Sequence, residues 1–179
     1  KYHLILTEKD FEHWLKKLHE AKSFAFDTET TSLDIMQAEI VGISFAIEIG
    51  ESIYIPFAHN YEGAPKQLDR DYVFEKLKPI FADPEKIKLA QNIKYDMNIL
   101  ANYGVEVAGI GYDTMLESYI LNSSANRHDK GTLALKYLGR VVASYEDLVG
   151  KGVKQIPFSE LELEKAAPYA ALDADLVLQ

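Results

Sequence analysis

Cysteine is absent from the 179 residues, which excludes both a disulfide framework and a thiolate metal site. No apolar run approaches the ~18 residues of a membrane-spanning helix, and no signal-peptide pattern opens the chain. Positive charge is scarce: 19 Lys and Arg face 28 Asp and Glu, a formal net charge of −9, and no basic tract is dense. That balance argues against a sequence-independent grip on duplex nucleic acid, which depends on Lys and Arg against phosphate. It leaves open a site that meets nucleic acid through metal ions. Internal repeats, low-complexity segments and interdomain linkers are also missing.

What is present fits one globular domain with a sizeable core, with 47% hydrophobic and 26% charged residues. A cytoplasmic protein without membrane contact is expected. The chain opens at Lys1 without Met and stops at Gln179 within an apparent helix, so residues 1–179 read as a single domain excised from a larger protein.

Thr7 can cap a helix over about 8–22, with Phe11, Leu15 and Leu18 at helical spacing. "SFAFDT" is a strand, and "EIVGISFAIEIGESIYIPFAH" gives two more around a tight turn at Ile49-Gly50-Glu51, an antiparallel meander. After a polar loop over 60–67, "DRDYVFEKLKPIFADP" is helical and "KIKLAQ" a short strand. A helix runs from Asn92 to Gly104, and a short strand leads into a helix capped by Asp113. Two short helices, "DKGTLALKYLG" and "SYEDLVG", precede a closing helix over "PFSELELEKAAPYAALDADLVLQ". Three strands followed by alternating helix and strand predict an α/β domain with a mixed sheet.

Within "FAFDTETTSLD", Asp27 and Glu29 lie two apart on a hydrophobic strand, so they share a face about 6–7 Å apart. Ionised, they repel by roughly 3 kcal/mol at an effective dielectric of about 20; a cation or a proton must relieve that. Asp96 opens the helix after a second strand, and "YAALDAD" puts Tyr169 and Asp173 at i and i+4 on one helix face. Taken singly, each has a plainer account. Asp27 can form a turn, Glu29 can be solvated, Asp96 can complement a helix dipole, and Tyr169 can be core. Asp175 points elsewhere on the helix and reads as surface, and the five histidines have no metal-ligand spacing. Only the ordered set points to chemistry.

"FDTETTSLD", "QNIKYD" and "YAALD", in that order, resemble the three exonuclease motifs of the DEDD superfamily. The tyrosine four residues before the last aspartate is similar to the DEDDy branch. "HDKGTLALKYLG", "DTMLESYILNS" and the "IPFAH" strand resemble the 3′–5′ proofreading domain of bacterial family A DNA polymerases, and the resemblance spans nearly the whole chain. It implies an RNase H-like fold and a metal-dependent 3′–5′ exonuclease that acts on the 3′ end of single-stranded or frayed DNA, in the same parent chain as a polymerase domain. A monomer is expected.

By the same resemblance Asp27, Glu29, Asp96 and Asp173 would hold two divalent ions, Mg²⁺ or Mn²⁺, and Tyr169 would orient the attacking water. Asp27 would bridge both ions, Glu29 and Asp173 would hold the water-activating one, and Asp96 would serve the other. Thr30, Leu33, Gln91, Asn92, Tyr95, Arg127 and Tyr145 would hold the substrate. The chemistry fits independently, because paired divalent ions supply a nucleophile and neutralise a leaving oxyanion, and hard ions prefer carboxylate oxygen.

Leu33 keeps two readings, a loop residue tucked onto the core and a wedge between terminal bases. Pro168, just before Tyr169, removes a helical hydrogen bond and predicts a kink or a restart that preserves the Tyr169–Asp173 spacing. Two alternatives stand beside the main one: an RNase D-like exoribonuclease, which the motifs alone do not reject, and a silent structural domain, which the four carboxylates oppose.

Overall fold

Strand β2 (Ser23–Thr30) alternates its side chains between two different interiors. Phe24 and Phe26 point to one face, where they meet Phe45 and Phe81 edge-on or tilted at centroid distances of 5.1–5.9 Å. Ala25 points to the other, among Ala46, Ala174 and Val177. Asp27 and Glu29 continue this second, small-residue face.

The computed structural model describes all residues, Lys1–Gln179. Around β2 it arranges β1 (Tyr2–Leu4), β3 (Ile40–Glu48), β4 (Glu51–Pro56), β5 (Ile87–Ala90) and β6 (Ile110–Asp113) in one sheet of order β1-β4-β3-β2-β5-β6. The meander β2-β3-β4 is antiparallel, and β1, β5 and β6 pair in parallel. This is the mixed α/β sheet expected from the sequence. The parallel edge strand β1 had no counterpart in the sequence reading, because three residues are too short to show a period.

Helices α1 (Glu8–Glu20), α2 (Arg70–Ala82) and α3 (Ile93–Ala101) cover the phenylalanine face. The α1 contribution is Phe11, Trp14, Leu15 and Leu18, and Thr7 caps it by accepting from the Asp10 N–H at 3.2 Å. Helices α4 (Thr114–Leu121), α5 (Lys130–Leu138) and α6 (Tyr145–Val149) follow, each with a single fully buried residue. No helix is long and apolar enough to cross a membrane.

Helix α7 (Leu163–Leu178) lies across the small-residue face. It starts later than the sequence predicts: Phe158–Glu160 form a separate 3₁₀ turn. Pro168 neither ends nor restarts it. The alanines at 170, 171 and 174 are fully buried and let the helix backbone approach the strands closely. Two polar ties then fix its register. Ser52 Oγ donates to the Ala171 carbonyl at 2.6 Å. The Asp175 carboxylate accepts from the Gly50 N–H at 2.7 Å and the Tyr2 hydroxyl at 2.9 Å.

Asp175 is therefore not surface, as its position in the sequence suggested; it is 1% exposed and bolts α7 to the β3–β4 turn. Asp175→Ala should lower stability by about 1–2 kcal/mol in urea denaturation, because it removes the buried acceptor that ties the solvent-accessible Gly50 and Tyr2 donors to α7. Asp175→Asn, which can still accept from Gly50, should lose less. An alanine variant as stable as wild type would show that the register rests on apolar packing alone.

Candidate active site

The ties at Ala171 and Asp175 flank Asp173 and hold it over β2. There Asp27, Glu29 and Asp173 each present a carboxylate oxygen within 4.8 Å of the others. Asp96, in the first turn of α3, arrives from the other side of the strand. Its Oδ1 accepts from the Thr28 N–H at 3.0 Å and from Thr28 Oγ1 at 2.6 Å. All four carboxylates are buried.

Little compensates these charges. Lys130, the first residue of α5, places Nζ 3.0 Å from Asp27 Oδ2 and 2.6 Å from Asp173 Oδ2. Glu29 Oε1 is buried with no hydrogen-bond partner. Burial pushes the Asp27 carboxyl up to about 6 even with Lys130 beside it, and Asp173 adds to the rise. Burial and the Asp27 charge raise Asp96 to about 8, against the pull of Thr28. Burial, Asp27 and Asp173 hold Glu29 well above the carboxylate range. Burial alone would lower Lys130, but Asp173 and Asp27 hold its ammonium well above the ordinary lysine value.

An unpartnered buried carboxylate oxygen facing two more carboxylates, with no sulfur ligand in the chain, suits a hard divalent cation. The donor set fits such an ion.

Tyr169 lies one turn before Asp173 on the continuous α7, so the i, i+4 relation holds despite Pro168. Burial, followed by the Asp173 and Glu29 charges, raises its phenol. Thr30 and Tyr95 act as a pair: their hydroxyls lie 2.5 Å apart, and both donate to the Ser32 carbonyl, at 3.1 and 2.6 Å. They fix the turn carrying Leu33. That side chain is 90% exposed, which removes the reading of Leu33 as tucked onto the core.

Gln91 donates to the His128 carbonyl at 2.7 Å and accepts from the Thr114 hydroxyl. Asn92 takes a left-handed backbone, φ +59°, the one non-glycine to do so, while Asp113 accepts its N–H and that of Ile93. Such a conformation in a non-glycine residue is strained and clusters at functional sites. Arg127 stands apart from the carboxylates, largely exposed and paired with Asp129 at 3.0 Å. Tyr145, at the start of α6, stacks at 15° on Phe158, whose ring is 6.3 Å from that of Tyr169.

Three site residues escaped the sequence reading: Thr28, Phe158 and Lys130. Lys130 alone left a signal. A cation at the first position of a helix opposes the helix dipole, so "HDKG" puts a charge where it needs an outside reason.

A family model described as 3′–5′ exonuclease matches residues 2–179. The chain is 54% identical over 180 residues to DNA polymerase I of Pseudomonas aeruginosa, covering 99% of this chain and 20% of that one. It is 42% identical over 160 residues to DNA polymerase I of Chloroflexus aurantiacus, covering 89% and 17%. Among solved structures, Trypanosoma brucei RNase D in complex with RNA U12 aligns with a TM-score of 0.76 at 18% identity, over 99% of this chain and 61% of that one. The POL domain of Pol1 from M. smegmatis, with DNA primer-template and dNTP, aligns at 0.72 and 19% identity, over 98% and 25%.

The fold is RNase H-like, and the chain belongs to the 3′–5′ exonuclease family. By class it is a nuclease that hydrolyses phosphodiesters. It spans about a fifth of the length of the curated relatives it matches.

The raised carboxylates give metal-free stability a definite pH dependence. Folded Asp27 and Asp96 keep their protons up to about 6 and about 8, against an ordinary value of 3.8. Between those values the folded chain binds more protons than the unfolded one, so stability falls as pH rises, by up to ~1.4 kcal/mol per pH unit for each proton. The Asp96 share is complete below pH 3.8 and lost as pH passes about 8. Asp96→Asn keeps an acceptor for Thr28 but cannot ionise, so it should flatten the decline above about pH 6. Thermal melts of both proteins in EDTA check this. A wild-type advantage over Asp96→Asn that grows toward alkaline pH would mean that Asp96 is ionised and compensated.

Proposed function

We propose that this chain removes nucleotides one at a time from the 3′ end of single-stranded or frayed DNA, using two divalent ions, Mg²⁺ or Mn²⁺, as the proofreading segment of a larger DNA polymerase. The observation that carries the metal reading is the orphaned Glu29 Oε1 beside Asp27 and Asp173 in a buried, oxygen-only cluster. Relatives at 54% and 42% identity are named DNA polymerase I, which supports DNA as substrate and a polymerase domain in the same parent chain. The likeness to RNase D is one of fold at 18% identity and gives no independent support for RNA. Three carboxylates gathered within ligand distance, with Asp96 buried beside them at Thr28, oppose a silent structural role.

Asp27, Glu29 and Asp173 would hold one ion, and Asp27 with Asp96 the second. When bound, such ions supply a water nucleophile at neutral pH and neutralise the leaving 3′ oxyanion. Tyr169 would orient the attacking water. Its raised pKa keeps the phenol protonated, so it positions by hydrogen bonding and does not act as a base. Thr30 and Tyr95, by holding the Ser32 carbonyl, would fix Leu33 as a wedge between the last bases. Gln91 and Asn92 would line the cleft for the terminal nucleotide. Arg127 would meet the phosphate backbone, and Tyr145 would stack on a base.

A gel assay on 5′-labelled single-stranded DNA and RNA, with Mg²⁺, Mn²⁺ or EDTA, tests this reading. Stepwise shortening of DNA from its 3′ end, abolished by EDTA, is expected; metal-dependent loss of RNA in preference to DNA, or of neither, would overturn it. Tyr169→Phe should slow cleavage by on the order of 10- to 1000-fold, as loss of a positioned donor does elsewhere. Its Mn²⁺ affinity should stay nearly unchanged. Undiminished turnover would show that the phenol takes no part.

A further inference from the structure

Lys130 holds one oxygen of each of two carboxylates that a divalent ion would draw on. Its ammonium bridges Asp27 Oδ2 and Asp173 Oδ2 at 3.0 and 2.6 Å, the spacing of charge-assisted hydrogen bonds. A divalent ion binding at the cluster formed by Asp27, Glu29 and Asp173 would draw on the same carboxylates. An ion drawing on those carboxylates would sit within a few ångströms of the ammonium and be repelled by it, so it binds at the lysine's expense.

We propose that Lys130 is a counter-ion carried by the chain itself, which occupies the Asp27–Asp173 bridge in the ion-free protein, competes with the divalent ion, and thereby sets the metal concentration at which the site loads. The inference rests on the reading that these carboxylates hold metal.

Three further observations favour displacement over a permanent ion pair. The compensation is incomplete: one ammonium serves two carboxylates, and Glu29 Oε1 remains buried and unpartnered. A divalent ion would satisfy that oxygen, so it holds an advantage that the lysine lacks. The lysine also has somewhere to go. It lines two clefts, one of about 360 Å³ between α4, α5 and α7, the other of about 450 Å³ bordered by Gln91, Asn92, Arg127 and Asp129. Finally, α5 buries only Ala134 fully, so the lysine withdraws from an element lightly tied to the core. Its unfavourable place at the helix N-terminus is accounted for by the carboxylates ahead of it.

The test compares wild type with Lys130→Met, which keeps an apolar stem of similar length. Isothermal titration with Mn²⁺, without nucleic acid, should show tighter binding in the variant, by about 10-fold or more, the scale on which groups supporting ligand carboxylates alter metal affinity. The variant should also melt below wild type in EDTA and gain more from Mn²⁺, as expected when a stabilising ligand replaces a lost internal cation.

A second measurement uses wild type alone. Pulsed acylation read by mass spectrometry should find Lys130 protected in EDTA and reactive in saturating Mn²⁺, and it decides the matter if the variant does not fold. Equal Mn²⁺ affinity in a folded variant, or protection of Lys130 unchanged by Mn²⁺, would overturn the proposal. Absence of Mn²⁺ binding by wild type is a different result: it would overturn the metal reading of the cluster, and this inference with it.

Discussion

Charge repulsion among Asp27, Glu29, Asp96 and Asp173 is what the surrounding structure has to withstand. Each is buried, and burial raises the carboxyls of Asp27, Glu29 and Asp96. In a flexible loop such groups would move apart until water reached them. Here they cannot, because Asp27 and Glu29 are paired to Ser44 and Gly42 of β3 in a strand whose first half also pairs with β5, Asp96 is bonded back to that strand through Thr28, and Asp173 sits between two anchors on α7. The backbone supplies the force that keeps like charges together. Protons, Lys130 or an added cation then decide the state of the cluster.

Helix α7 is the member that converts fold into site. Its alanines allow it to lie close on β2, β3 and β4, and close approach brings Asp173 to within ligand distance of strand carboxylates. Larger residues at 170, 171 or 174 would lift the helix and open the cluster. On the sheet the same economy of volume appears at Gly42, paired with Glu29, where a Cβ would collide with the Tyr54 ring. Tyr54 in turn bonds His59 Nε2 at 2.9 Å, and His59 Nδ1 meets the Leu161 carbonyl just before α7. Small residues set the distances, and buried polar ties set the register.

This division explains what was legible in the sequence. The period-2 pairing of Asp27 with Glu29 and the i, i+4 pairing of Tyr169 with Asp173 are local, so they could be read from spacing, and the order of motifs supplied Asp96. The meander and the helices also follow from local patterns of apolar residues and caps. The missed features depend on contacts between distant segments. Asp175 looks like a solvated charge until the β3–β4 turn and β1 close over it, 125 and 173 residues away. Thr28 and Lys130 gain meaning only when α3 and α5 reach the strand. At Pro168 a local rule predicts a kink or a restart; α7 does not restart there, and the alanines that follow stay buried against the sheet.

The residues proposed for metal and those proposed for substrate sit on differently supported parts of the molecule. Asp27, Glu29 and Asp173 stand on β2 and α7, whose residues are mostly buried. Arg127 and Tyr145 stand where α4, α5 and α6 each bury a single residue fully, and Leu33 on an exposed turn. Elements with few buried contacts open at lower free energy than the core. Metal chemistry tolerates little displacement of its ligands, while a strand of varying bases needs surfaces that can adjust. Lys130 joins the two regions, with its Cα on lightly packed α5 and its ammonium in the rigid cluster. Under the proposed exchange, a change of cation at the cluster would be felt at α5 through that one side chain.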